Sequence, residues 1–144
     1  MRLGSVTPFA RQSGVRARLD ALTETIIGAA IEIHKTYGPG LLESAYDSCL
    51  AFSLHRRGLK VVRQKPLPLT YEGMHVGTAY RIDLLIDDLV IVEVKAVERL
   101  ERVHSAQLLS YLRLSGCTVG LLLNFNVKYL PIGGIKRVVN DYPD

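Results

Sequence analysis

The segment ending at Lys95 carries an acid and a base among apolar residues. Side chains alternate between the two faces of a strand, so Glu93 and Lys95 share one face while Val94 points to the other. Burying a glutamate and a lysine in an apolar strand costs free energy unless their charges are compensated. Two explanations remain open: a structural ion pair, or a site where a metal ion and a substrate phosphate compensate both charges.

Asp83 is a second acid inside an apolar segment, and the following turn decides whether it meets Glu93. A two-residue turn at 87–88 places Asp83 opposite Val92, with Glu93 on the other face. A three-residue loop at 87–89, or a β-bulge with the same effect, places the two acids across from each other. Adjacent carboxylates repel each other unless a cation lies between them, and Mg²⁺ prefers oxygen ligands of this kind.

Two further groups of polar residues occur on predicted helices. Glu43 opens the second helix, and Tyr46 follows it at i+3. A glutamate in the first turn also has a simpler interpretation, because it complements the helix dipole. Gln107 and Tyr111 are four residues apart and share a helix face, although any helix supplies such pairs.

No acid occurs between Asp47 and Glu72, where six basic residues fall close together. Such a patch could hold the phosphates of a nucleic acid. It could equally be a solvated helix end and strand edge. The patch consists of His55, Arg56, Arg57, Lys60, Arg63 and Lys65.

The chain has 144 residues, 48% of them hydrophobic, which suits one globular domain at residues 20–144. Residues 1–19 contain four arginines and no acid, which predicts a basic, flexible tail. Cys49 and Cys117 have no metal-ligand spacing, so we expect free thiols and a reducing, cytoplasmic compartment. No apolar run reaches the length of a membrane span, so no membrane association is expected.

Hydrophobic periodicity and turn residues predict eight elements in the order α-α-β-β-β-α-β-β. The simplest assembly is an α/β (α+β) fold with one mixed sheet flanked by helices. The apolar run around Val92 suggests a central strand. Helices are expected at 22–35, 41–57 and 103–114, and strands at 59–65 (extended or bent towards Tyr71), 78–86, 89–94, 118–125 and 135–139.

These residues resemble a known family. Gly40-x-x-Glu43-x-x-Tyr46 is similar to the signature of the GxxExxY proteins, a group in the PD-(D/E)XK nuclease superfamily. The ordered motif set is similar to that of RecB-like nucleases, and the resemblance covers residues 22–139. The set is GxxE at Gly40 to Glu43, an aspartate at Asp83, ExK at Glu93 to Lys95, and QxxxY at Gln107 to Tyr111.

The resemblance implies a restriction-endonuclease-like core and a role for each matching residue. Asp83 and Glu93 would ligate Mg²⁺ or Mn²⁺, with Glu43 as a further ligand. Lys95 would position or activate the attacking water. The other matching residues, Gln107 and Tyr111, would orient this site or touch the nucleic acid. We expect nucleic acid to contact Tyr46 and the lysines and arginines of the basic patch, which are Arg56, Arg57, Lys60, Arg63 and Lys65.

The function expected on this basis is metal-dependent hydrolysis of phosphodiester bonds, with DNA as the expected substrate and RNA as an open alternative. A second hypothesis is a non-catalytic module that keeps the fold and binds nucleic acid or a protein. No acidic position of the motif set is lost, which argues against it. A carboxylate-pair glycosidase is disfavoured by the absence of Trp. One small domain can address only one strand at a time, so a homodimer is a plausible assembly.

Overall fold

The computed structural model describes residues 8–141. Its helices and strands follow the predicted order, so the α/β prediction is confirmed. The helices are α1 (Pro8–Tyr37), α2 (Glu43–Arg56) and α3 (Arg102–Ser115). The strands are β1 (Val61–Tyr71), β2 (Met74–Ile86), β3 (Val90–Lys95), β4 (Val119–Asn124) and β5 (Ile135–Val139).

The strands form one mixed sheet in the order β1-β2-β3-β4-β5. β3 and β4 are parallel, and the other neighbouring pairs are antiparallel. A parallel pair requires a crossover connection, which α3 provides. Residues 90–94 of β3 and all of β4 are buried. Coverage of both faces explains why these two strands read as continuous apolar runs.

Helices cover both faces of the sheet. Leu84 and Val92 belong to the core cluster that contains residues of α1 and α2. Leu85 and Ile91 belong to a second cluster that contains residues of α3. We call these two sides of the sheet the α1/α2 face and the α3 face.

The hairpin between β2 and β3 has a three-residue loop. Leu84 pairs with Val92, and the two following pairs close the ladder before residues 87–89. The first two loop residues have positive φ values of 51° and 56°, and both are aspartates, which tolerate this conformation better than most side chains. This is the register that places Asp83 across from Glu93.

The first helix begins well before the expected domain boundary. We predicted a flexible tail through residue 19, but α1 starts at Pro8. Leu19 is only 2% exposed and belongs to the core on the α1/α2 face. The helix therefore continues through residues 8–19 of the predicted tail, and residues 1–7 lie outside the described residues.

Two other expectations concern thiols and membrane segments. Cys49 and Cys117 are both free and half-buried, which agrees with the prediction of unpaired thiols. Across residues 8–141, no helix combines the length and the apolar character that crossing a bilayer requires.

Candidate active site

Asp83 and Glu93 lie side by side just beyond the last paired residues of β2 and β3. The backbone N–H of Asp83 donates to Glu93 Oε2 at 3.0 Å. The backbone N–H of Val94 donates to Asp83 Oδ2 at 2.9 Å. Each carboxyl group therefore accepts a hydrogen bond from the main chain of the opposite strand, where the regular ladder has ended.

Asp83 marks a break in the alternation of side chains. Leu84 packs on the α1/α2 face, whereas Ile82 packs on the α3 face, although residues two apart on a regular strand share a face. On β1, the residue at the same level is Gln64, which has a φ of 53°. The register between β1 and β2 is the same before and after this level, so the irregularity is confined to the backbone of Gln64 and the packing of Ile82. Alternation from Leu85 assigns Asp83 to the α3 face, and alternation from Ile91 assigns Glu93 to the same face, so the register of the hairpin brings the two acids together.

The surroundings of Glu93 disfavour its charged form. The residue is 4% exposed, and burial raises the pKa of Glu93 to about 9, with further contributions from a hydrogen bond to Asp83 and from the Asp83 charge. The positive charge of Lys95 opposes this rise in the pKa. Without a bound cation, the carboxyl pair therefore retains a proton at neutral pH.

Glu43 reaches the same region from α2. It is the first residue of that helix, and its Oε1 atom accepts a hydrogen bond from the backbone N–H of Ala96 at 3.0 Å. Glu43 and Asp83 also line one cavity of about 230 Å³ on the side of α2. The other residues that line this cavity are Ser44, Asp47, Arg63, Gln64 and Val94.

Tyr46 explains why Glu43 has this position. Its hydroxyl donates to the Gly38 carbonyl oxygen at 2.5 Å and accepts from the Leu41 N–H at 3.1 Å. Its ring stacks on Phe125 with the ring centroids 4.4 Å apart. Tyr46 thus fixes the turn that leads into α2. The predicted contact of Tyr46 with nucleic acid does not fit this position, because the residue is fully buried.

The other predicted residues approach the pair from the end of β3 and from α3. Lys95 is half-buried, and strand alternation places it on the α3 face with Glu93. Tyr111 is 5% exposed, and burial, followed by the charges of Glu93 and Asp83, raises the pKa of Tyr111 to about 12. Its hydroxyl therefore lies within electrostatic range of both acids, and Gln107 lies one turn earlier on the same helix face.

The sequence interpretation did not single out Asp47, which lines the cavity with Glu43. Asp47 is 5% exposed, and its Oδ1 atom accepts a hydrogen bond from Arg63 Nη2 at 2.6 Å. Burial raises the pKa of Asp47 above its usual range, although the bond to Arg63 opposes the shift. The sequence already contained a sign of this position, because Asp47 lies four residues after Glu43 and residues four apart on a helix share a face.

Asn124 is a second polar residue that sequence reasoning did not assign to the site. It is fully buried and pairs with Lys95 in the parallel ladder. Its Oδ1 atom accepts from the Val97 N–H at 3.0 Å, and its Nδ2 atom donates to the Val97 carbonyl at 2.9 Å. Asn124 thereby holds the chain that follows Lys95. In the sequence, the sign of this role was an amide side chain at the end of the otherwise apolar β4 segment.

The predicted basic patch is not one continuous surface. Arg57 pairs with Glu32, Lys60 pairs with Asp88, and Arg63 pairs with Asp47. These acids lie far away in the sequence or on the preceding helix, so the absence of acids between residues 47 and 72 did not reveal them. The remaining members also diverge, since Arg56 lies over the ring of Phe52 and Lys65 borders a cavity on another side of β1.

The donor set suits a hard divalent cation, because it consists of carboxylates with no thiol or imidazole. Asp83 and Glu93 are already in contact, and Glu43 shares a cavity with Asp83. Within residues 8–141, however, no three acidic, histidine or cysteine side chains converge into a ready-made metal cluster. Because Oε1 of Glu43 accepts from the Ala96 N–H, Glu43 would complete the ligand set through its second carboxylate oxygen or through water.

Comparison with known proteins agrees with this arrangement. The model of a family described as the PD-(D/E)XK nuclease superfamily matches residues 20–138. The mixed sheet with helices on both faces is consistent with a restriction-endonuclease-like fold. Among curated proteins and solved structures, none matches the chain significantly.

Proposed function

The chain belongs to the PD-(D/E)XK nuclease superfamily, and we propose that it is a divalent-metal-dependent nuclease that hydrolyses phosphodiester bonds in DNA. The observation that supports this proposal best is the contact between Asp83 and Glu93. Glu93 is buried and Asp83 is half-buried, and two carboxyl groups held together in this way are relieved of their repulsion by a proton or by a cation. A second observation also supports the proposal, because Glu43, which belongs to a separate helix, lies at the end of β3 and lines the same cavity as Asp83.

We further assign the chain to the GxxExxY proteins and its residues to the RecB-like motif set. In this assignment the spacing from Gly40 to Tyr46 has a physical basis. Tyr46 fixes the turn at Gly38 and Leu41, and this turn sets the start of the helix that carries Glu43.

In the proposed mechanism, Asp83 and Glu93 would hold Mg²⁺ or Mn²⁺, and Glu43 would be a further ligand, either directly or through water. When bound, such an ion lowers the pKa of an attacking water and stabilises charge on the phosphoryl oxygens. The protein's part is to hold its carboxylates in place. The main-chain hydrogen bonds to Asp83, Glu93 and Glu43 serve this purpose.

Lys95 orients the attacking water and offsets charge on the phosphate in this scheme. Its position on the face of Glu93 suits an electrostatic role. Tyr111 and Gln107 orient the water and phosphate from the side of α3. The raised pKa of Tyr111, about 12, keeps its hydroxyl protonated and able to donate a hydrogen bond at neutral pH.

A cleavage assay tests the proposal directly. The purified chain is incubated with linear duplex, circular duplex and single-stranded DNA, and with RNA, each with Mg²⁺ or Mn²⁺. We expect Asp83→Asn, Glu93→Gln and Lys95→Met to lower the rate on the order of 100-fold or more while the chain stays folded. Glu72→Gln and Lys128→Met are matched controls on exposed positions and should cleave like the wild type.

Two results would overturn the proposal. One is a wild-type protein that cuts neither DNA nor RNA with either ion, and the other is full activity in the Asp83 or Glu93 variant. If calorimetry also shows no Mn²⁺ binding, the non-catalytic binding module replaces the nuclease as the explanation. Sedimentation of the same samples checks the expected homodimer.

A further inference from the structure

The cavity beside Asp83 contains an arginine as well as acids. Among the described residues that line it, Arg63 supplies the positive charge, and the negative charges come from Glu43, Asp47 and Asp83. Arg63 lies on β1 directly opposite Leu84, the neighbour of Asp83 on β2. An arginine in this position is within the same small space as the proposed ligands.

Asp47 holds the guanidinium of Arg63 in place. The Nη2 atom of Arg63 donates to Asp47 Oδ1 at 2.6 Å and to Ser48 Oγ at 3.1 Å. The side chain of Asp47 is 7% exposed, so the anchor is fixed in the protein, while that of Arg63 is 47% exposed. The arginine is therefore restrained at one edge and open to solvent at the other.

Most N–H groups of the Arg63 guanidinium remain available to bind a ligand. The guanidinium has five N–H donors in a planar fork, and the two bonds to Asp47 and Ser48 both use Nη2. The hydrogens on Nη1 and Nε have no hydrogen-bond partner within residues 8–141. Such a fork matches the oxygens of a phosphate group, which it can bind through two hydrogen bonds.

The backbone next to Arg63 is strained in a way that points to a functional position. Gln64 has a φ of 53°, which is uncommon for a residue other than glycine. Gln64 lies across from Asp83 in the sheet, and at this point the side chains of β2 stop alternating between the two faces. Residues other than glycine with a positive φ cluster at active sites and ligand-binding positions.

We propose that Arg63 binds a non-bridging oxygen of a substrate phosphate, and that Asp47 is the positioning residue that holds its guanidinium in the cavity beside Asp83. This inference rests on the proposed nuclease function and names the backbone phosphate as the group that the cavity takes. The competing explanation is a structural ion pair that joins α2 to β1. A purely structural pair affects unfolding and leaves substrate affinity unchanged.

The test compares kcat and KM for Mn²⁺-dependent cleavage of a short labelled DNA duplex at several salt concentrations. We expect Arg63→Ala to raise KM about 10- to 100-fold, the range expected for losing a charge-assisted hydrogen bond. The slope of log affinity against log salt should fall by about 1, the value for one lost phosphate contact. Arg63→Lys should recover part of the affinity, because lysine retains the charge without the fork.

Asp47→Asn tests the positioning role separately. We expect a smaller rise in KM than for Arg63→Ala, while kcat stays near the wild-type value, and Asp47→Glu should restore part of the affinity. Arg18→Ala is the matched control, because it removes an arginine that pairs with Asp87 outside this cavity. Unfolding temperatures and Mn²⁺ titrations of every variant separate loss of folding or metal binding from loss of phosphate binding.

An unchanged KM and salt slope in Arg63→Ala would overturn the inference even if the wild type cleaves DNA normally. If the wild type does not cleave, the nuclease proposal fails, and fluorescence anisotropy with the same duplex decides the inference. In that case, equal affinities of the wild type and Arg63→Ala would overturn it. A weaker affinity of the variant with a reduced salt slope would still support phosphate binding by Arg63.

Discussion

The carboxyl group of Glu43 lies 3.0 Å from the backbone nitrogen of Ala96 and accepts its hydrogen bond. This bond joins the first turn of α2 to the end of β3, immediately after Lys95. Glu43 therefore has two separable properties, an oxygen that accepts this hydrogen bond and a negative charge beside Asp83.

Variants of Glu43 should separate these two properties. Glu43→Gln keeps an oxygen at the same position but removes the charge, whereas Glu43→Ala removes both. We expect both variants to lose cleavage about 100-fold. Only the alanine variant should also lose stability, by about 1 kcal/mol for an exposed hydrogen bond. Calorimetric unfolding and cleavage rates check this expectation, and a glutamine variant with normal activity would contradict it.

Glu93 should make the stability of the chain depend on pH. Its pKa is about 9 in the folded protein against an ordinary value of 4.5. Between these values the folded state holds a proton that the unfolded state releases, so stability falls as pH rises. In EDTA we expect the unfolding temperature of Glu93→Gln to fall less steeply from about pH 5 to pH 9. At pH 8 the variant should be more stable by about 1 kcal/mol or more, roughly 3 °C.

Thermal unfolding at several pH values, with Glu72→Gln as the control, measures this effect. Equal slopes for Glu93→Gln and the wild type would show that Glu93 does not carry the retained proton.

Metal binding should release a proton from the same pair. Because the pKa of Glu93 is raised to about 9, a divalent cation must displace the proton before both carboxylates can ligate it. We expect Mn²⁺ affinity to increase with pH between about 6.5 and 8.5. Calorimetry in two buffers of different ionisation enthalpy should report the release of about one proton per ion at pH 7. Affinity that is constant over this range would contradict the prediction.

Tyr46 should act on catalysis through the turn before α2. Tyr46→Phe keeps the stacking on Phe125 but removes the bonds to Gly38 and Leu41. We expect a loss of about 1–3 kcal/mol in stability, because the partners are left without their hydrogen bonds. We also expect a lower kcat and an unchanged affinity for DNA. Tyr37→Phe, at an exposed position, is the control, and weaker DNA binding by Tyr46→Phe would restore the original prediction of a nucleic-acid contact.

Local sequence patterns predicted the elements because their signals are local. Helical periodicity, the turn at residues 37–40 and the alternation along the strands gave the observed order, and the last strand was predicted at its observed limits, Ile135–Val139. The extension of α1 to Pro8 was not predicted, because its burial at Leu19 depends on packing against distant segments.

The sequence by itself determined which residues could do chemistry, since Glu43, Asp83, Glu93 and Lys95 are charges on segments whose type is set by local preferences. Whether Asp83 meets Glu93 was decided only by the structure, through the three-residue loop at 87–89 and the strand register that it sets. The tertiary structure also decided which acids compensate the charges of the basic residues. Folding brought Glu32, Asp47 and Asp88 to the basic residues of the predicted patch. The physical reason is that the energy of a charge depends on its neighbours in space, and sequence spacing fixes only those within a turn or a strand.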